Sequence, residues 1–130
     1  MIVLDTHIWI WWVHGDPSLT ANQKRFIIEH EADGLGVSII SCWEVAKLVE
    51  RARLILPCTV GDWFDQALLY PGVKLLNLTP AIVVDSTQLP PGFHQDPADQ
   101  LIVSTARVNG YPLLTADQKL ISYPHVMTLI

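Results

Sequence analysis

Basic residues are scarce in this chain, and cysteines scarcer. Eight lysines and arginines stand against thirteen aspartates and glutamates over 130 residues, a formal net charge of −5. A protein coated for nonspecific nucleic-acid binding carries the opposite sign. That class is disfavoured, although a local basic patch beside an acidic cluster remains open. Cys42 and Cys58 are the only cysteines. They form neither a zinc ligand pattern nor a disulfide framework, and read as reduced thiols of a cytosolic protein. The longest apolar run of the opening segment, Ile8 to Val13, falls far short of the roughly twenty residues of a membrane span. The N-terminus lacks a basic region and a small-residue cleavage site, so no secretory signal is expected. Internal repeats, low-complexity tracts and charged tails are missing too.

Apolar surface, by contrast, is plentiful. Half the residues are hydrophobic and mean hydropathy is +0.31, so much of the chain must be buried in a core or against a partner. The length suits one domain spanning residues 1–130, with a real core and no room for a second.

Strands are expected at Ile2–Leu4, "LGVSII", "VKLLNL", "YPLLT" and, at an edge, "HVMTLI". A tryptophan-rich helical stretch follows the first strand and is broken by "GDPSLT". Further helices are expected over 21–30 behind the cap Thr20, and over "SCWEVAKLVERARL", where Val45, Leu48, Val49 and Ala52 form a core stripe. "TVGDWFDQALLY" reads as another, stopped by Pro71 and Gly72. "TPAIVVDSTQL" has Thr79 as cap and Pro80 first; "DPADQLIVSTARVNG" has Asp96 as cap, Pro97 first and Gly110 closing it. Strands alternating with helices imply an α/β fold: a parallel β-sheet of four to five strands covered by helices on both faces.

In such a sheet, sites form where the strands' C-termini emerge. Asp5 directly follows the first strand, Glu44 opens the helix after the second, and Asp117 follows "YPLLT". The helix that starts at Asp96 must run antiparallel to the strand it precedes, which puts Asp96 and Asp99 at the same rim. Local explanations exist for most of these acids. Ser41 and Glu44 spell a capping box, Asp96 and Asp99 suit a helix start, and Asp117 would cap "QKLIS". Asp5 caps nothing unless Thr6 or His7 begins a helix.

Convergence favours chemistry over capping. Unit charges ~4 Å apart repel by about 1 kcal/mol in water and about 4 kcal/mol near a protein surface. Several carboxylates at one rim therefore call for a cation, and an all-oxygen set suits Mg²⁺ or Mn²⁺. Such an ion, with open water positions, equips a site for phosphodiester hydrolysis.

At these residues the chain resembles a PIN domain, and more narrowly the VapC-type ribonuclease toxins of bacterial and archaeal toxin–antitoxin pairs. "LDTHIWIWW", "SCWEVAKLVERARL", "HQDPADQLIVSTA" and "LLTADQKL" match the family's segments in order and span nearly the whole chain. The "LDTH" opening and the "DPADQLIVSTA" helix are specific together; "TAD" alone is weak. The resemblance implies a PIN-like domain, a cytoplasmic Mg²⁺/Mn²⁺-dependent endoribonuclease, dimeric and silenced by a VapB-like antitoxin. It assigns Asp5, Glu44 and Asp99 as the family acids and Asp117 as a fourth, at a position that often varies to asparagine. Asp5 and Asp99 would hold the metal, aided by Glu44 and Asp117. Thr6, Asp96 and Thr115 would support them. Many relatives carry arginine where this chain has Gln100, so any basic role there is absent.

Lys47 and Arg51 lie on the Glu44 side of their helix. They pair with Glu44 and Glu50, or contact RNA phosphate with help from Arg53 and Arg107. His7 and His94 are placed near the rim without a catalytic role. Trp9, Trp11, Trp12 and Trp43 read as core and interface, and a groove there would accept an amphipathic antitoxin segment. Two rivals remain. A receiver-like Mg²⁺-binding signalling domain needs an acid ending a middle strand, where this chain has "NLTP"; a haloacid-dehalogenase phosphatase needs D-x-D after the first strand, where it has Asp5-Thr6-His7. A catalytically silent PIN-like interaction module is the other alternative, opposed by the intact acids.

Overall fold

Ile2, Val3 and Leu4 are wholly buried, and the sheet is built around them. The computed structural model describes residues 1–130. Its strands are β1 (Ile2–Leu4), β2 (Leu35–Ser38), β3 (Val73–Leu76), β4 (Leu113–Leu114) and β5 (Thr128–Leu129). They form one sheet in the order β3-β2-β1-β4-β5, and every neighbouring pair is parallel. Val3 is opposite Gly36 on one side and Leu113 on the other. Seven helices complete the fold: α1 (Thr6–His14), α2 (Ala21–His30), α3 (Ile39–Glu50), α4 (Val60–Ala67), α5 (Pro80–Ser86), α6 (Pro97–Asn109) and α7 (Gln118–Ile121).

Alternation along β1 divides the core in two. Ile2 and Leu4 pack with Ile8, Trp9, Ile27, Val45 and Trp63 from α1 to α4. Val3 packs on the opposite face with Ile102, Val103, Ala106 and Leu120 from α6 and α7. Both faces are therefore covered, as the near-continuous apolar strands require. The ring of Trp9 meets Trp63 edge-on at 4.9 Å and stacks at 6.4 Å on Phe64, which fills the first core. No helix is long and apolar enough to cross a membrane.

Several elements are shorter than the sequence expectation, α4 ending at Ala67, α5 at Ser86 and β3 at Leu76, and both ends of α3 are shifted. Ile39 and Ile40 belong to α3 rather than β2, because the Ser38 side chain accepts from Ile40 N at 3.2 Å and caps the helix there. Ser41 is consequently inside the helix and buried, and the Ser41/Glu44 capping box does not form. The same helix ends at Glu50; Ala52 takes a left-handed φ of 55° and falls outside the expected stripe. α6 follows its sequence grammar, with Asp96 as cap, Pro97 first and Gly110 closing at φ 68°.

Candidate active site

Asp5 is placed by the register of β1 on β4. Its amide donates to Leu114 O at 3.0 Å, one step beyond the strand, and this sets its side chain beside Thr115. Thr115 Oγ1 donates to Asp5 Oδ2 at 2.8 Å, while Oδ1 accepts from Thr6 N at 2.8 Å. Thr6 does begin α1, so Asp5 is its N-cap. Capping occupies one oxygen only; the other is held from across the sheet. Asp5 is 8 % exposed. Burial raises its pKa above the ordinary carboxylate value, the Thr115 hydrogen bond opposes the rise, and the charge of Asp99 adds to it.

Glu44 faces Asp5 from α3. Thr6 Oγ1 stands 2.5 Å from Glu44 Oε1 and 2.9 Å from Ser41 Oγ. One hydroxyl proton serves one acceptor at a time, so with Glu44 ionised Thr6 donates to the carboxylate and accepts from Ser41. Burial pushes the Glu44 pKa up to about 7; the Thr6 bond opposes this, and the charges of Asp99, Asp5 and Asp96 reinforce it. Asp99 sits in the first turn of α6. Its amide donates to Asp96 Oδ1 at 3.0 Å, and its Oδ2 lies 2.7 Å from His94 Nε2. Burial raises its pKa too, against the His94 bond and with the charges of Asp96 and Asp117. Asp117 caps α7 through Lys119 N at 2.9 Å, and its own amide donates to Thr115 Oγ1 at 3.0 Å.

A cavity of about 390 Å³ collects all five acids, Asp5, Glu44, Asp96, Asp99 and Asp117, beside His7 and Trp11, with no lysine or arginine in its wall. No three of these side chains stand close enough to enclose an ion unaided. Mg²⁺ is commonly held by one or two carboxylates with waters and substrate phosphate rather than by an all-protein cage. The donor set is compatible with such an ion. Glu44 Oε2, Asp99 Oδ1 and Asp117 Oδ2 receive no protein hydrogen bond, while the other oxygen of each is held. The three raised carboxyl pKa values come first from burial, and the neighbouring carboxylates add to the rise.

The remaining expected residues divide. A groove of about 540 Å³ adjoins the acid cavity, sharing His7, Glu44 and Asp96, and is lined by Lys47, Arg51 and Arg53 together with Ile39, Trp43 and Leu101. Lys47 pairs with Glu50 at 2.9 Å and lies 5.7 Å from the Trp43 ring centroid. Arg51 and Arg53 form no ion pair. Arg107 does not join them. It is bonded to Asp85 at 3.0 Å and to His125 O at 2.7 Å, toward the far end of α6, because Asp85 on α5 packs against it. Of the tryptophans, Trp9 is buried, Trp11 lines the acid cavity and Trp43 is 52 % exposed. The contact that sequence reasoning missed is His94 on Asp99. Its only trace in the sequence is a histidine two residues before a helix cap.

The PIN domain family matches residues 2–126. Ribonuclease VapC22 of Mycobacterium tuberculosis (strain ATCC 25618 / H37Rv) is 37% identical over 124 residues, covering 95% of this chain and 92% of that protein. Among solved structures, VapBC2 from Rickettsia felis bound to a DNA fragment from its promoter aligns with a TM-score of 0.72 at 17% identity, over 99% of this chain and 98% of the other. FitAcB from Neisseria gonorrhoeae gives 0.71 at 18% identity, over 100% and 97%. A toxin–antitoxin complex from Klebsiella pneumoniae gives 0.67 at 19% identity, over 100% and 97%.

Proposed function

The chain belongs to the PIN-domain family, and on that premise we propose that it is a divalent-metal-dependent endoribonuclease, the toxin of a VapBC-type pair. The observation that carries this reading is the convergence of Asp5, Glu44, Asp99 and Asp117 from four separate segments on one cavity. The likeness to a named ribonuclease supports the RNA substrate.

Asp5 and Asp99 would hold Mg²⁺ or Mn²⁺, with Glu44 and Asp117 as further ligands. A bound ion of this kind lowers the pKa of water and polarises a phosphate. The protein's own part is positioning. Thr115 and Thr6 fix the two oxygens of Asp5, and Thr6 fixes Oε1 of Glu44. Glu44 Oε2 is then free either to join the ion or to orient the attacking water. Lys47 and Arg51, at the wall of the adjoining groove, receive RNA phosphate. The apolar part of that groove accepts an amphipathic segment of a VapB-like antitoxin, which would block the path to the acids. The protein acts as a cytoplasmic homodimer.

Single-turnover cleavage of cellular RNA in Mg²⁺, at equal folded concentration, tests the division of roles. Asp5→Asn should abolish cleavage, because an amide supplies a neutral oxygen where charge is needed. Asp117→Asn should be intermediate. Asp96→Asn should lose least, since asparagine caps a helix nearly as well as aspartate. Full activity in Asp5→Asn, or equal loss in all three, overturns the assignment.

A further inference from the structure

We infer that His94 is a positioning residue for the active site: its imidazole holds Asp99 Oδ2 so that Oδ1 is left free at the acid cavity. The inference rests on the reading of Asp99 as a metal-binding carboxylate. His94 Nε2 lies 2.7 Å from Asp99 Oδ2, with side chains only 25% and 18% exposed. A hydrogen bond to an ionised acceptor is short and strong, and here water competes little for it.

Asp99 needs such a restraint. A short carboxylate in the first turn of a helix can rotate onto neighbouring main-chain amides. The amide of Asp99 is already taken by Asp96 Oδ1, so its own side chain is held by His94 instead. The loop that carries His94 is, moreover, anchored without the imidazole. Tyr123 OH donates to Pro90 O at 2.6 Å, and Gln100 Nε2 donates to His94 O at 3.1 Å. The Phe93 ring packs 4.8 Å from Tyr123. Main-chain carbonyls and Phe93 fix the loop; the imidazole lies 4.4 Å from the Phe93 ring and turns its Nε2 to Asp99. Gln100 thus sets the position of His94 through the His94 carbonyl.

Hydrogen-bond partners behind a metal-binding side chain typically contribute about 10- to 100-fold to metal affinity. The test is calorimetric titration of the folded, metal-free protein with Mn²⁺ alone. His94→Leu keeps bulk and loses the donor, and should weaken Mn²⁺ binding by roughly tenfold or more. His94→Gln brings an amide N–H close to the Nε2 position and should recover most of the affinity. His94→Asn, too short to reach Oδ2, should behave like His94→Leu and replaces it if that variant folds poorly. Asp99→Asn serves as the reference. Wild-type affinity in His94→Leu beside a clear loss in Asp99→Asn overturns the role of His94 and leaves Asp99 standing. Unchanged affinity in Asp99→Asn removes both. Equal weakening by Leu and Gln would show that the ring only fills space, and would also overturn the inference.

Discussion

Thr115 serves two acids with one hydroxyl. It donates to Asp5 Oδ2 and accepts from the amide of Asp117, so one wholly buried side chain ties the end of β1 to the start of α7. Replacing it with valine keeps shape but leaves a buried carboxylate oxygen and an amide without partners. Thr115→Val should cost about 1–3 kcal/mol in urea unfolding and lower cleavage, whereas Thr115→Ser should lose little of either. Glu44 makes a different prediction. Its carboxyl titrates at about 7 in the folded metal-free protein, against 4.5 ordinarily. Between those values the folded chain keeps a proton that the unfolded chain releases, so stability from this group is full below about 4.5 and is lost as pH rises to about 7. Thermal melts of the metal-free protein should show wild type losing more stability than Glu44→Gln between pH 4.5 and 7.5. Parallel profiles would mean that Glu44 is not desolvated as the structure has it.

At the level of elements, α3 and α6 present Glu44 and Asp99 to the acid cavity by different means. α6 is set by its own sequence: the Asp96 cap, Pro97 at the first position and Gly110 in the left-handed region after the last turn. α3 is set by Ser38, which belongs to the end of β2 and whose hydroxyl accepts from Ile40 N. Starting three residues earlier than the Ser41/Glu44 pattern indicates buries Ser41 against Thr6 and aims Glu44 at the Thr6 hydroxyl rather than at its own helix terminus. Ser38→Ala should therefore destabilise the protein by about 1 kcal/mol, read as a lower urea midpoint with unchanged slope. No loss would mean that the cap lies elsewhere. The S-x-x-E pattern was legible and misleading, because local grammar cannot tell a cap from a buried serine one turn later.

For the whole molecule, the order β3-β2-β1-β4-β5 puts the wholly buried β1 at the centre and its C-terminus at the middle of the acid-bearing rim. Apolar surface remains outside this core and outside the groove beside the acids: Val83 and Val84 on α5 are exposed. A second copy of the chain would cover such surface in a symmetric pair. Sedimentation of the antitoxin-free protein should give a species of about twice the 14.6 kDa chain; a monodisperse monomer at micromolar concentration contradicts the homodimer.

The sequence by itself determined the parallel α/β architecture, most of the helix caps and the gathering of Asp5, Glu44, Asp99 and Asp117 at one rim. Each of these follows from short-range pattern: apolar runs, capping residues, and the rule that strand ends share an edge. Which groups hold those acids was set by long-range packing. Thr115 reaches Asp5 across 110 residues through the β1–β4 register. His94 meets Asp99 because the Pro90–Gln95 loop is pinned by Tyr123 and Gln100. Arg107 is drawn away to Asp85 by the packing of α5 on α6. Contacts of this kind depend on how separate elements are laid against one another to within a fraction of an ångström. Side-chain hydrogen bonds fail beyond ~3.5 Å, and no local propensity encodes a distance that fine.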